Sequence, residues 1–320
     1  MQLPQQLQES IENRLLNQSI HQISEASSCL SEKYRQGVKN DGYVQTNQER
    51  MAYILSRMPA TYASIVTVFK ELRDRMPSFN PKSFFDLGSG PGTGLWAADT
   101  VFPNLIQYSA WEIDDEFNKL SALLTEEHLV LKNTIRKRKN LELDRDFFSA
   151  DLVLLSYAIG EIPSQYWESI FSDIWKNVNH SLVIVEPGTP IGYERILKIR
   201  DILLRQDAHL IAPCPHSSKC PLQKPDWCHF YARVERSALH RKIKNASLNY
   251  EDEKFSYLVF SKHPIEKNIN ARILRYPQVL KGHTKLITCD KSQIIQNLTI
   301  TKKEKEKYKL AKKKDWGDSF

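Results

Sequence analysis

The chain has 320 residues, 41% hydrophobic and 26% charged, which is enough for one enlarged α/β domain or two ordinary ones and too apolar for extended disorder. Forty-five lysines and arginines against 38 acids leave a net charge of +7, which admits a polyanionic partner without requiring one. The longest apolar stretch, around Asp151–Ile162, falls far short of the roughly 20 residues that span a bilayer. The N-terminus carries Glu9 and Glu12 ahead of Arg14 and no apolar core, unlike a secretory leader, so five cysteines argue for metal or chemistry rather than a disulfide framework.

Up to about Asn80 the pattern is helical. Tyr62, Ile65, Phe69 and Leu72 recur at three- and four-residue steps and line one helix face, and Pro59 separates that helix from an earlier one around Gln48–Met58. From Ser83 strands and helices alternate. Ser83–Leu87, Ile106–Ile113, Asp151–Tyr157 and Ser181–Glu186 read as strands and Gly192–Asp207 as a helix with Tyr193, Ile196, Leu197, Leu203 and Leu204 on its apolar face. From His209 to about Tyr250 periodicity is lost, in a segment too long for an ordinary loop. Phe255–Lys262 and His283–Cys289 are strand-like again, and the last twenty residues, eight lysines against four acids, read as a solvated tail. The breaks predict a helical region (1–80), a Rossmann-like core (81–208), a cysteine-rich basic insertion (209–250), C-terminal strands completing the sheet (251–300) and a basic tail (301–320).

Asp86-Leu-Gly-Ser-Gly-Pro-Gly-Thr-Gly94 sits directly between a predicted strand and a predicted helix. Glycines there permit positive φ and close approach of a ligand, and the helix N-terminus offers unpaired N–H groups. The spacing misses the nicotinamide pattern G-x-G-x-x-G in either register. It resembles instead the first motif of the S-adenosylmethionine-dependent methyltransferase fold. That resemblance makes Asp86, Gly88, Ser89, Gly90, Pro91 and Gly92 the cofactor turn and Glu112, 22 residues after Gly90, the acid for the ribose hydroxyls, with Asp114 as fallback. After the fourth strand stands Ser156-Tyr-Ala-Ile-Gly-Glu161-Ile-Pro163, which lacks both the Asn/Asp-Pro-Pro-Tyr/Phe motif and a nucleophilic cysteine. Ser156, Tyr157 and Glu161 can line a pocket, and no catalytic residue is assigned.

Cys214, Cys220 and Cys228 form Cys-x5-Cys-x7-Cys, and Cys289 ends a predicted strand sixty residues on. The spacing departs from tight zinc knuckles, while Cys-Pro occurs twice, as at iron–sulfur ligands. Spacing alone leaves iron–sulfur and zinc open, with His216 and His229 as alternative ligands that favour zinc.

Together PATYAS (59–64), DLGSGPGTGLWAA (86–98), SYAIGEIP (156–163), VEPGTPIGYERI (185–196), the cysteine block (212–230), RILRYPQVLKGHTKLITC (272–289) and AKKKDWGD (311–318) resemble the methyltransferase-like proteins of the small ribosomal subunit found in mitochondria and bacteria. The resemblance implies an α/β S-adenosylmethionine-dependent methyltransferase fold, a four-iron–four-sulfur cluster on Cys214, Cys220, Cys228 and Cys289, and a role in small-subunit assembly through its rRNA. It does not itself imply turnover. An active rRNA methyltransferase and a small-molecule methyltransferase are the competing functions. Arg195–Lys244 holds eleven bases against four acids, so Arg233, Arg236, Arg241 and Lys242 are the expected rRNA contacts, with Trp227, Phe230 and Tyr231 as stacking partners. The expected form is a monomer with no membrane association, in the bacterial cytoplasm or alternatively the mitochondrial matrix.

Overall fold

The computed structural model describes residues 1–15, 18–36 and 44–320, so 16–17 and 37–43 of the predicted helical region lie outside the described residues. Four helices lead: α1 (Gln5–Leu15), α2 (Ile20–Gln36), α3 (Asn47–Ser56) and α4 (Met58–Arg75). Thr46 and Glu49 close a capping box at the start of α3, and Pro59 occupies the first turn of α4, where its missing N–H costs no helical bond. Tyr62, Ile65, Phe69 and Leu72 are all buried in the core, each such side chain contributing about 1.5–3 kcal/mol.

Strands and helices then alternate: β1 (Ser83–Leu87), α5 (Thr93–Val101), β2 (Gln107–Glu112), α6 (Asp115–Leu124), β3 (Ile135–Arg138), β4 (Ala150–Ser156), α7 (Trp167–Lys176), β5 (Val178–Pro187), α8 (Pro190–Leu204) and β6 (His209–Ala212). There follow β7 (Phe230–Glu235), α9 (Ala238–Ile243), β8 (Tyr250–Ser261), β9 (Ala271–Ile273), β10 (Gln278–Leu280), β11 (His283–Asp290), β12 (Ile295–Thr301) and α10 (Lys305–Ala311). The main sheet runs β3-β2-β1-β4-β5-β8-β6. Neighbours from β3 to β5 are parallel, and β8 is inserted antiparallel between β5 and β6. This is the Rossmann-like order of the S-adenosylmethionine-dependent methyltransferase fold. The order reverses at β1, and an open α/β sheet holds ligands at such a switch point, beyond the carboxyl ends of its strands. Adjacent residues Phe84 and Phe85 enter the cores on opposite faces of the sheet, which is why its strands read as continuous apolar runs.

The structure changes three expectations. Region 209–250 is not irregular throughout: β6 and β7 dock end to end along the outer edge of β8, with Ala212 opposite Val259 and Phe230 opposite Phe255. Strands of four and six residues are too short to show a period. The C-terminal strands do not all complete the sheet. β8 does, whereas β11 belongs to a separate antiparallel sheet, β10-β11-β12, with β9 also paired to β11. The last residues are no loose tail: Ala311 of α10 packs with Ile273, Leu286 and Ile300, and Phe320 exchanges backbone hydrogen bonds with Ala271. Among the described residues no helix is long and apolar enough to cross a membrane.

Candidate functional site

The turn after β1 is left-handed at Gly88, Gly90 and Gly92, with φ of +68°, +50° and +85°. A Cβ at Gly92 would press on Ser121, and one at Gly94 would collide with the Asp86 carboxylate, whereas one at Gly90 would meet nothing within 4 Å. Gly90 therefore marks the open side of the turn; Pro91 beside it is buried. Asp86 is 1% exposed, and neither of its carboxylate oxygens has a hydrogen-bond partner; the Ser89 hydroxyl is likewise buried and unpartnered. Burial, with the charge of Glu112 added, pushes Asp86 up to about 8. Orphaned acceptors are rare in protein interiors. Here they suit a ligand with a donor group, such as the ammonium of a methionine moiety.

Glu112, at the end of β2, faces this turn. Its Oε2 accepts the Gly90 N–H at 2.7 Å and its Oε1 the Asp114 N–H at 2.9 Å. Asp114, the fallback acid, is committed elsewhere. Its Oδ1 caps α6 through the Glu116 and Phe117 N–H groups, and its Oδ2 takes Arg50 of α3 at 2.7 Å.

In the segment after β4, Tyr157 is tied into the fold. Tyr157 adopts φ +57°, a conformation that costs a bulky residue about 1–3 kcal/mol. Its hydroxyl hydrogen-bonds with Ser64 at 3.1 Å and donates to Glu253 at 3.2 Å, so the ring links α4 to β8. Gly160 lies against the guanidinium of Arg195, which donates to the fully buried Glu186 at 2.9 Å.

Four cysteines reach one cleft by separate routes. Cys214 lies two residues beyond β6 and Cys228 two before β7, so the loop between them leaves from the middle of β8. Cys220 lies within that loop, and Cys289 arrives from β11 of the other sheet. All are free thiols, and together with His216 they line a cleft closed by Tyr193, Arg200 and Arg272. The Tyr193 hydroxyl stands 3.1 Å from the Cys220 sulfur, and His216 Nε2 stands 3.5 Å from that of Cys289. The Ser256 hydroxyl donates to the Cys228 carbonyl at 2.8 Å. Arg272 pairs with Cys289 across β9–β11, donates to the Pro213 carbonyl at 2.9 Å and is ion-paired to Glu71. Burial raises the thiols of Cys214 and Cys228 and pushes Cys289 up to about 12.

Among the described residues no three Cys, His, Asp or Glu side chains close on one point as ligands of a single ion. The thiols bound a space instead. His229 is not among its lining residues: its ring stacks on Trp227 at 5.0 Å. Cys29, on α2, stands apart and exposed. Spacing gave no sign of Arg272. Arg200 left a trace, since it stands seven residues after Tyr193 on an otherwise apolar helix face.

The expected rRNA contacts separate. Arg233 is tied to Asp252 at 2.8 Å and Arg236 to Glu251 at 2.6 Å, whereas Arg241 and Lys242 are exposed on α9. The stacking expectation is corrected for Phe230, which is 4% exposed and packed against Tyr257. The Tyr231 hydroxyl is bound to Asp315, and Trp227 donates to the Gly188 carbonyl. Residues 278–314 carry eleven lysines against three acids, a second concentration of charge around the small sheet and α10.

Residues 47–320 match the model of a family described as mitochondrial small ribosomal subunit Rsm22. The chain is similar to the human mitochondrial ribosome assembly protein METTL17, with 25% identity covering 84% of this chain and 61% of that protein. An Rsm22-cox11 tandem protein of Schizosaccharomyces pombe is 27% identical, over 86% of this chain and 43% of its own length. The mitochondrial ribosome assembly protein RSM22 of Saccharomyces cerevisiae is 23% identical, over 86% and 67%. The chain thus spans less than two thirds of the first two relatives. Among solved structures, the magnesium protoporphyrin IX methyltransferase of Synechocystis is 12% identical with a TM-score of 0.42, covering 73% of this chain and 94% of that one. The strand order, rather than this likeness, identifies the fold.

Proposed function

The chain belongs to the mitochondrial small ribosomal subunit Rsm22 family, and from that membership we propose that it is a small-subunit assembly and translation factor. It docks as a monomer on the rRNA of the small-subunit particle, carries a four-iron–four-sulfur cluster on Cys214, Cys220, Cys228 and Cys289, and holds S-adenosylmethionine at Asp86–Gly92 and Glu112. The observation that carries this reading is the meeting of four thiols, from a loop and a second sheet, in one cleft. Four ligands ranged around a space suit a cluster, in which each cysteine binds a different iron, better than zinc, which draws all four to one ion. When bound, the cluster supplies iron–thiolate bonds that brace the loop and one-electron redox capacity. The protein's own part is to hold the donors: Tyr193 at Cys220, Ser256 behind Cys228 and Arg272 between Pro213 and Cys289. The relatives, named as mitochondrial, favour the mitochondrial matrix over the bacterial cytoplasm.

Protein purified anaerobically is expected to be brown, to absorb near 400 nm and to contain about four irons per chain. Colourless protein with one zinc would overturn the cluster.

A second reading, an active rRNA methyltransferase, is favoured by the unpartnered Asp86 and Ser89 at the glycine turn. Against it stands Tyr157, whose hydroxyl is spent on Ser64 and Glu253 rather than offered as a base. Incorporation of labelled methyl groups into small-subunit particles would decide for this second reading.

A further inference from the structure

Arg200 is the one cation lining the thiol cleft, among the described residues, without a close carboxylate. Its side chain is 2% exposed, its Nε has no hydrogen-bond partner, and Asp201 comes no nearer than 3.9 Å. Arg272, the other arginine there, has its charge met by Glu71. Arg200 instead spends one nitrogen on loop carbonyls, donating to Ser218 at 2.6 Å and His216 at 3.3 Å. These carbonyls lie between Cys214 and Cys220, so the guanidinium sets the course of the loop that presents both sulfurs. A buried cation that no close carboxylate meets is costly, and the groups facing it across the cleft are four cysteine sulfurs, which hold a metal as thiolates. With four thiolates, either a four-iron–four-sulfur cluster in its oxidised state or a single zinc ion leaves a net charge of −2.

We propose that Arg200 is the counter-charge and positioning residue of the thiol site, tuned to an anionic metal–thiolate occupant. This rests on the cluster reading above. That occupant supplies the close counter-charge that the guanidinium otherwise lacks, and the guanidinium favours the added electron when the cluster is reduced. Removing the charge should therefore weaken retention of the occupant and make its reduction harder.

The test uses the full chain, reconstituted anaerobically with ferrous iron and sulfide and titrated with dithionite. Arg200→Gln is expected to lose iron to a chelator at least tenfold faster than the wild type and to reduce with an equilibrium constant about tenfold less favourable, a shift of 59 mV to more negative potential for one electron. Arg200→Lys, which keeps the charge and not the fork, should restore most of the potential but not the full iron retention. An unchanged potential and iron-release rate in Arg200→Gln overturns the proposal. So does an equal loss in both variants with helix content intact, which would assign the effect to loop geometry alone. If Arg200→Gln fails to load while Arg200→Lys loads, the charge role stands. If the wild type binds zinc and no cluster, the iron–sulfur reading fails on its own. The comparison then moves to zinc affinity, where Arg200→Gln should still lose tenfold and an unchanged affinity overturns the proposal. Wild type that takes up neither overturns both.

Discussion

Asp86 shows how far a single residue's role depends on its surroundings. In sequence it is an acid before a glycine turn. In the structure it is enclosed under α5, with two unpartnered oxygens and a carboxyl pushed up to about 8 by burial. A folded-state value above the ordinary 3.8 means that the folded chain holds this proton more tightly than the unfolded one. The stability it confers is complete below about pH 4 and is lost as pH rises through about 8. In the cofactor-free protein, Asp86→Asn should therefore gain on the wild type across that window, by on the order of a few kcal/mol. Urea unfolding at pH 5 and at pH 8.5 measures the difference. Equal differences at the two pH values would mean that Asp86 does not titrate in the window. At the same scale Tyr157 read as a pocket residue, and nothing in its neighbours foretold a left-handed backbone with the ring turned onto α4.

At the scale of the element, the glycine turn was the most legible feature. A strand, three glycines at alternate positions and a helix leave little choice of geometry, and the turn stands where the motif placed it. Gly90 is the informative position, because a side chain there would enter open space rather than the core. Gly90→Arg should fold with a loss of about 1–2 kcal/mol from its left-handed backbone, retain rRNA binding and lose S-adenosylmethionine binding by calorimetry. If small-subunit assembly in cells then survives, cofactor use is not what the protein contributes. Failure of assembly with rRNA affinity intact would favour the methyltransferase reading. The cysteine insertion was less legible. Its flanking strands were missed because each gains its stability from pairing with β8 rather than from its own pattern. Strand propensity is decided largely by such context.

At the scale of the whole molecule, charge is the property that the fold redistributes. The basic run 195–244 accounts for an excess as large as that of the whole chain, yet Arg233 and Arg236 are ion-paired to Asp252 and Glu251 on the neighbouring strand. Exposed bases open to a polyanion include Arg241 and Lys242 on α9 and lysines of 278–314. Neutralising Arg241 and Lys242 should lower the slope of log affinity against log salt by about 0.7 per lost phosphate contact to single-stranded RNA. Neutralising Arg233 should leave the slope nearly unchanged. A slope that responds only to Lys285, Lys302 and Lys303 would move the footprint to the small sheet. Filter binding to small-subunit rRNA across a salt series reads all three.

The sequence by itself determined the alternation of strands and helices, the glycine turn with Glu112 behind it, and the four cysteines as the residues to watch. These follow from local rules: apolar period, the backbone freedom of glycine and the chemistry of thiols. Only the tertiary structure decided that Asp114 caps a helix, that β11 leaves the main sheet, that Phe230 is core and that Arg200 is buried beside the thiols with no close carboxylate. Each of these depends on which distant residue lies opposite, a pairing made by long-range packing and carried by no spacing along the chain.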